Sequence, residues 1–146
     1  DALSYAESLL DENSIITFVL GDNFFGANPI VNINFENFSG AHLFLKEVEN
    51  PEEFGVMEID TYNKPVNLYE KPKEFISSLA VVGLYIYEYS CFKYIRTLSP
   101  SNRGELEITD LNKIYLSNKN MNFSVISSWW IDAGTEERII ALRELI

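Results

Sequence analysis

Apolar residues along the chain fall into short runs separated by Gly, Asn, Asp and Pro, and the spacing within each run indicates its structure. Ala2, Tyr5, Ala6, Leu9 and Leu10 recur at helical intervals behind Asp1, a good capping residue, and predict an amphipathic helix over residues 1–10. The run Ile15–Leu20 has no polar alternation, which predicts a strand buried on both faces, as in a parallel sheet. It stops at Gly21-Asp22-Asn23. Strands are expected at 41–48, 54–60, 66–70 and 80–88, the second and third joined by the turn-like segment 61–65. Residues 90–98 and 107–117 read as helices and 123–127 as a strand. Thr135 caps a last helix whose first turn carries Glu136 and Glu137, where carboxylates suit the dipole. Helices alternate with strands at both ends and hairpin-like strands fill the middle, so the expected class is α/β with a Rossmann-like mixed sheet. Residues 24–40, rich in Asn, match no regular element.

Composition narrows the possibilities. The 146 residues fit one domain, 47% of them hydrophobic and 14% aromatic. A chain of that size buries roughly 68–70% of its unfolded surface. No apolar run reaches the ~18 residues of a membrane span, so a soluble globular chain is expected. Eleven Lys and Arg against 22 Asp and Glu leave a net charge of −11, which opposes the phosphate attraction behind most nucleic-acid binding. One cysteine, Cys91, cannot form an internal disulfide, and no signal segment opens the chain, so a reducing cytoplasmic setting is expected. The first residue is Asp1 rather than Met, which raises the expectation of a longer polypeptide.

Four clusters carry candidate chemistry. Asp22 follows a strand directly, at the carboxyl end where open α/β sheets bind ligands, and can hold a hard cation; Gly-Asp-Asn is equally a plain turn. Asp132-Ala133-Gly134-Thr135 places a second carboxylate before a helix, and is also ordinary cap chemistry. Lys71, within Glu70-Lys71-Pro72-Lys73, can meet a phosphate as a point charge, with Glu70 on the opposite face if the strand persists; the alternative is a solvated charge run. Arg103 on a loop suits a bidentate phosphate contact, or a salt bridge with Glu105 or Glu107. His42, Cys91, Tyr85, Tyr87, Phe24, Phe25, Trp129 and Trp130 read as packing residues. Two carboxylates with two phosphate-sized cations suit magnesium-assisted phosphoryl or nucleotidyl transfer.

In order and spacing, the segments LGDNFFG (20–26), NPEEFGVMEID (50–60), YEKPKEF (69–75), AVVGLYIYE (80–88), SPSNRGELEITDLNKIYL (99–116) and WWIDAGTEERIIAL (129–142) resemble the sugar-nucleotidyltransferases. The nearest likeness is to the glucose-1-phosphate thymidylyltransferases and their uridylyl relatives. The resemblance implies Mg²⁺-dependent transfer from dTTP or UTP to glucose 1-phosphate, with release of pyrophosphate. It implies that Asp22 and Asp132 hold Mg²⁺ and that Lys71 and Arg103 grip the sugar phosphate. Asn23, Glu70 and the backbones of Gly55 and Val81 would orient the sugar, with Tyr85 and Trp130 near the phosphates and metal. The partners it implies are a nucleoside triphosphate and a sugar 1-phosphate, with no nucleic acid or membrane, and it leaves room for a homo-oligomer.

Departures from the family pattern are equally specific. Relatives open with a Gly-rich loop ending in Arg that holds the triphosphate, and none of the seven glycines here builds such a loop. Phe54 stands where many relatives have Tyr, and Ala133 replaces Thr. Residues 1–146 are therefore expected to form a single, partial nucleotidyltransferase domain, its sugar-phosphate and metal-binding portion, without the N-terminal nucleotide-binding strands. The alternative is a non-catalytic fragment or regulatory module that binds a sugar phosphate or nucleotide-sugar.

Overall fold

Strand β6 (Leu79–Glu88) organises the molecule, because strands pair with it on both edges, along all of one and part of the other, and both of its faces are covered. The computed structural model describes residues 2–101, 104 and 106–146. One edge of β6 pairs antiparallel along β3 (Ala41–Glu47), which in turn pairs parallel with β7 (Met121–Val125). On the other edge sit two different strands. β4 (Gly55–Ile59) touches it at Val56↔Ala80 and continues into the hairpin with β5 (Pro65–Glu70), while β1 (Ile15–Val19) pairs from Val19↔Leu84 to Ile15↔Glu88. Residues 81–83 lie between those two contacts without a strand partner on that edge. The result is a six-stranded mixed sheet, as the α/β reading requires. A separate ribbon joins β2 (Asn23–Phe25) to β8 (Trp130–Asp132).

Alternation along β6 divides the core. Tyr85 and Tyr87, with Leu43 and Leu45 of β3, face one side, where α1 (Cys91–Ile95), α2 (Ile108–Ser117) and the N-terminal 3-10 helix Ala2–Leu9 pack. Tyr85, Tyr87 and Tyr115 form a stack there, with centroids 5.9 and 5.7 Å apart. Val82, Leu84 and Ile86, with Phe44, face the other side. Its cover is the segment the periodicity left unassigned: Ile30, Ile33 and Phe38 pack there from a chain of turns. Asn28 and Asn34 stabilise those turns, each accepting a backbone N–H two residues on.

Three expectations change. The first helix winds as a 3-10 helix, whose three residues per turn align Leu3 and Ala6 on the core and leave Tyr5 exposed. β1 is antiparallel rather than a centre of parallel pairing; only Ile16 is buried, Val19 is 52% exposed, and no described strand covers its outer edge. The predicted separation of Glu70 and Lys71 onto opposite faces fails because β5 ends at Glu70, and Lys71 turns into the left-handed region at φ 43°. α3 (Glu136–Leu145) begins where expected, Thr135 Oγ1 accepting the Arg138 N–H.

Candidate active site

A cleft of about 160 Å³ opens where the edge of β6 is unpaired, and eight of the ten residues singled out from the sequence line it: Asn23, Gly55, Glu70, Lys71, Val81, Tyr85, Trp130 and Asp132. Asp22 is not among the lining residues but accepts a hydrogen bond from Asn23, which is. Arg103 lies outside the described residues, and with it the Arg103 salt-bridge alternative. A roomier apolar cleft of about 350 Å³, between the 3-10 helix, β1, α1 and α2, shares only Leu20 and Ile108 with it and offers little polar chemistry.

Two walls form the cleft. On the first, Phe54 and Gly55 open β4 opposite Glu70, and Lys71 N–H donates to the Phe54 carbonyl at 3.0 Å, which holds the lysine in its left-handed turn. That conformation is uncommon for a residue with a Cβ, and it puts Glu70 and Lys71 side by side on the cleft. Thr109, from the first turn of α2, donates to Glu70 Oε2 at 2.6 Å and fixes the carboxylate. The sequence did not single out Thr109, whose partner lies 39 residues away in the chain.

The second wall is the β2–β8 ribbon. Its register sets Asn23 opposite Asp132, and the Ala133 N–H donates to the carbonyl of Asp22, the residue just before β2, at 2.7 Å, so the two aspartates come from the same end of the ribbon. Asn23 is buried, and its side chain makes three hydrogen bonds. Its Oδ1 accepts from Gly83 N–H at 2.8 Å and Trp130 Nε1 at 2.7 Å, and its Nδ2 donates to Asp22 Oδ1 at 2.9 Å. Asp132 Oδ1 accepts the Gly134 N–H at 2.9 Å. Each aspartate thus has one oxygen held by a neighbouring donor and a second with no donor among the described residues.

Electrostatics single out the floor. Burial pushes the Tyr85 hydroxyl well above the usual phenol range, and Glu70, Asp132 and Asp22 push it further, so Tyr85 stays a neutral donor beneath three carboxylates. With Lys71 the one described cation lining the cleft, a phosphate dianion entering it requires additional positive charge. The donor set suits that need: two carboxylates with free oxygens fit Mg²⁺, which binds through one or two carboxylates and takes its remaining ligands from substrate phosphates and water. No cluster of three or more potential ligands occurs among the described residues. Of the residues read as packing, Tyr85 and Trp130 also line the cleft, whereas Cys91 is buried, with its thiol pushed up to about 12 by burial, and His42 bonds to Ser124 Oγ at 2.9 Å.

Comparison with known proteins gives the family. The family model described as Nucleotidyl transferase matches residues 1–146. A glucose-1-phosphate thymidylyltransferase of Mycolicibacterium smegmatis is 37% identical over 138 residues, covering 92% of this chain and 48% of the relative. A Bacillus anthracis protein assigned to the glucose-1-phosphate thymidylyltransferases, crystallised with a sucrose, superposes with a TM-score of 0.89 at 40% identity, over 99% of this chain and 58% of that one. A UDP-glucose pyrophosphorylase bound to UDP-glucose superposes with a TM-score of 0.83 over 99% of this chain and 60% of that one; at 20% identity it speaks for the fold alone. The chain spans about half the length of the curated relatives it matches, 48% and 46% in two of them.

Proposed function

Because the chain belongs to the nucleotidyl transferase family, we propose that it forms the sugar-phosphate and metal-binding portion of an enzyme that transfers a nucleotidyl group from dTTP or UTP to glucose 1-phosphate, releasing pyrophosphate. The observation that carries this reading is the convergence of Glu70, Lys71, Tyr85, Trp130 and Asp132 on one cleft at the unpaired edge of β6. Glucose, rather than another sugar, rests on the names of the relatives.

The residues suit the chemistry. A sugar 1-phosphate has a second pKa near ~6 and is already mostly dianionic at neutral pH, so it attacks the α-phosphate without a side-chain base. What the protein supplies is alignment of two polyanions and charge where it develops. Lys71 would face the sugar phosphate, joined by Arg103. Glu70, fixed by Thr109, would accept from sugar hydroxyls over the open floor at Gly55, with the Val81 backbone beside it. Tyr85, kept neutral, would donate to a phosphate oxygen. Asp22 and Asp132 would hold Mg²⁺, which when bound supplies the charge that offsets the two phosphates. A cytoplasmic setting suits the free thiol of Cys91. Among the described residues no helix is long and apolar enough to cross a membrane.

The test is pyrophosphate release by the full-length polypeptide given Mg²⁺, glucose 1-phosphate and dTTP or UTP. Asp22→Asn and Asp132→Asn should each abolish turnover, and Lys71→Ala should raise KM for the sugar phosphate. Wild-type rates in either aspartate variant would sink the metal assignment. Calorimetric binding of glucose 1-phosphate with no pyrophosphate made would favour the non-catalytic binding module.

A further inference from the structure

Arg138, in the first turn of α3, touches both walls of the cleft. Its Nη2 donates to Glu53 Oε2 in the turn before β4, its Nη1 lies 3.7 Å from Asp132 Oδ1, and its guanidinium carbon sits 4.8 Å from the centre of the Phe54 ring. Phe54 in turn packs on Trp130 at 5.2 Å. The helix that carries Arg138 is otherwise lightly docked, with Leu142 its one buried residue. Exposed ion pairs contribute little to stability, yet this side chain is 27% exposed, stacked on an aromatic ring, hydrogen-bonded to one carboxylate and ion-paired with a second, contacts to which the planar guanidinium is suited.

We propose that Arg138 is a positioning residue of the metal site. Together with the Gly134 N–H it holds Asp132 Oδ1 from the α3 side, reserving the other carboxylate oxygen for the cation, and through Glu53 it fixes the metal wall to the sugar wall at Phe54 and Gly55. The inference rests on the reading of Asp132 as a ligand. A cation beside a metal ligand also has an opposing effect, since it repels Mg²⁺. Glu53 settles the balance: its carboxylate neutralises the guanidinium, so the pair adds orientation without net charge. Replacing Arg138 by an uncharged residue leaves Glu53 unpaired, and charge alone would then tighten cation binding while lost orientation would weaken it. The sign of the change separates the two.

Mn²⁺ alone, titrated into the full-length polypeptide and followed by the electron paramagnetic resonance of the free ion, reads that sign. Partners that orient metal ligands are worth 10–100-fold in affinity, and the partial exposure here puts Arg138→Met near ~10-fold weaker binding, with its retained stem still covering Phe54. Arg138→Lys keeps the charge but cannot fork or stack, and should fall in between. Melting temperatures run in parallel report the fold. Equal or tighter Mn²⁺ binding in Arg138→Met, with binding lost in Asp132→Asn, overturns the proposal and leaves the metal assignment standing. Unchanged binding in Asp132→Asn overturns the assignment and this proposal with it. If Arg138→Met does not fold, Arg138→Lys decides: weaker binding supports positioning, and unchanged binding refutes it.

Discussion

Asn23 shows how one side chain can organise a site. Its three hydrogen bonds join Asp22, Gly83 and Trp130, so the aspartate, the β6 backbone and the ribbon share one amide. The space for that amide exists because residue 83 has no side chain: a Cβ there would lie 2.6 Å from the Asn23 amide. Gly83→Ala should therefore destabilise the protein by about 1–3 kcal/mol, the range for overpacking a filled interior, as measured by urea unfolding. Gly55 makes the opposite case. A Cβ at that position would sit 3.4 Å from Glu70 Oε2 and from Thr109 Oγ1, in contact with the residues that would orient the sugar. Gly55→Ala should raise KM for the sugar phosphate while leaving unfolding within about 0.5 kcal/mol of wild type. Equal stability losses at the two glycines would refute this division of roles.

At the scale of elements, sequence legibility followed length. The five- to ten-residue strands β3 to β7 and helices α2 and α3 announce themselves by period and by caps, and each formed within a few residues of its expected bounds. The ribbon did not, because three residues per strand carry no readable period. The same holds for the turns over 27–40, which cover a face of the sheet through Ile30, Ile33 and Phe38 but owe their shape to asparagine side chains. Within the site, eight of the ten residues singled out one by one from the sequence line the cleft, whereas Thr109, Glu53 and Arg138 are tied to partners distant in sequence. An isolated two-stranded ribbon is at best marginal in water, so the ribbon depends on what Trp130 supplies: its bond to Asn23 and its packing on Phe54. Trp130→Ala should cost the ribbon about 2 kcal/mol, less than the ~3–5 typical of a fully buried ring. In hydrogen exchange, the amides of Ala133 and Gly26, which bond across the ribbon, should lose protection while those of the β3–β6 ladder keep theirs. Uniform loss across both sheets would instead mean that the ribbon and the main sheet unfold as one unit.

At the scale of the whole molecule, the charge of −11 and a single histidine make opposite demands on stability as pH falls. Acidification relieves the self-repulsion of an anionic chain, although at physiological salt the Debye length of ~8 Å screens most of it. His42 acts the other way. It sits on β3 facing β7, bonded to Ser124 Oγ and packed 5.0 Å from the Phe44 ring, and burial lowers its pKa below the usual 6.5. The unfolded chain therefore binds more protons than the folded one between the lowered value and 6.5, and stability rises with pH across that window. The contribution is complete above pH 6.5 and is lost as pH drops from there through the folded value. The upper edge of this window, at 6.5, lies above the ordinary carboxylate range, so the loss tied to His42 begins before most carboxylates take up protons. Urea unfolding at pH 7.5 and at pH 5.5 should show the wild type weaker at the lower pH. His42→Gln, which can keep a hydrogen bond to Ser124 but cannot gain a proton, should lose that dependence. Parallel losses in the two proteins would locate the pH sensitivity in the acidic surface instead.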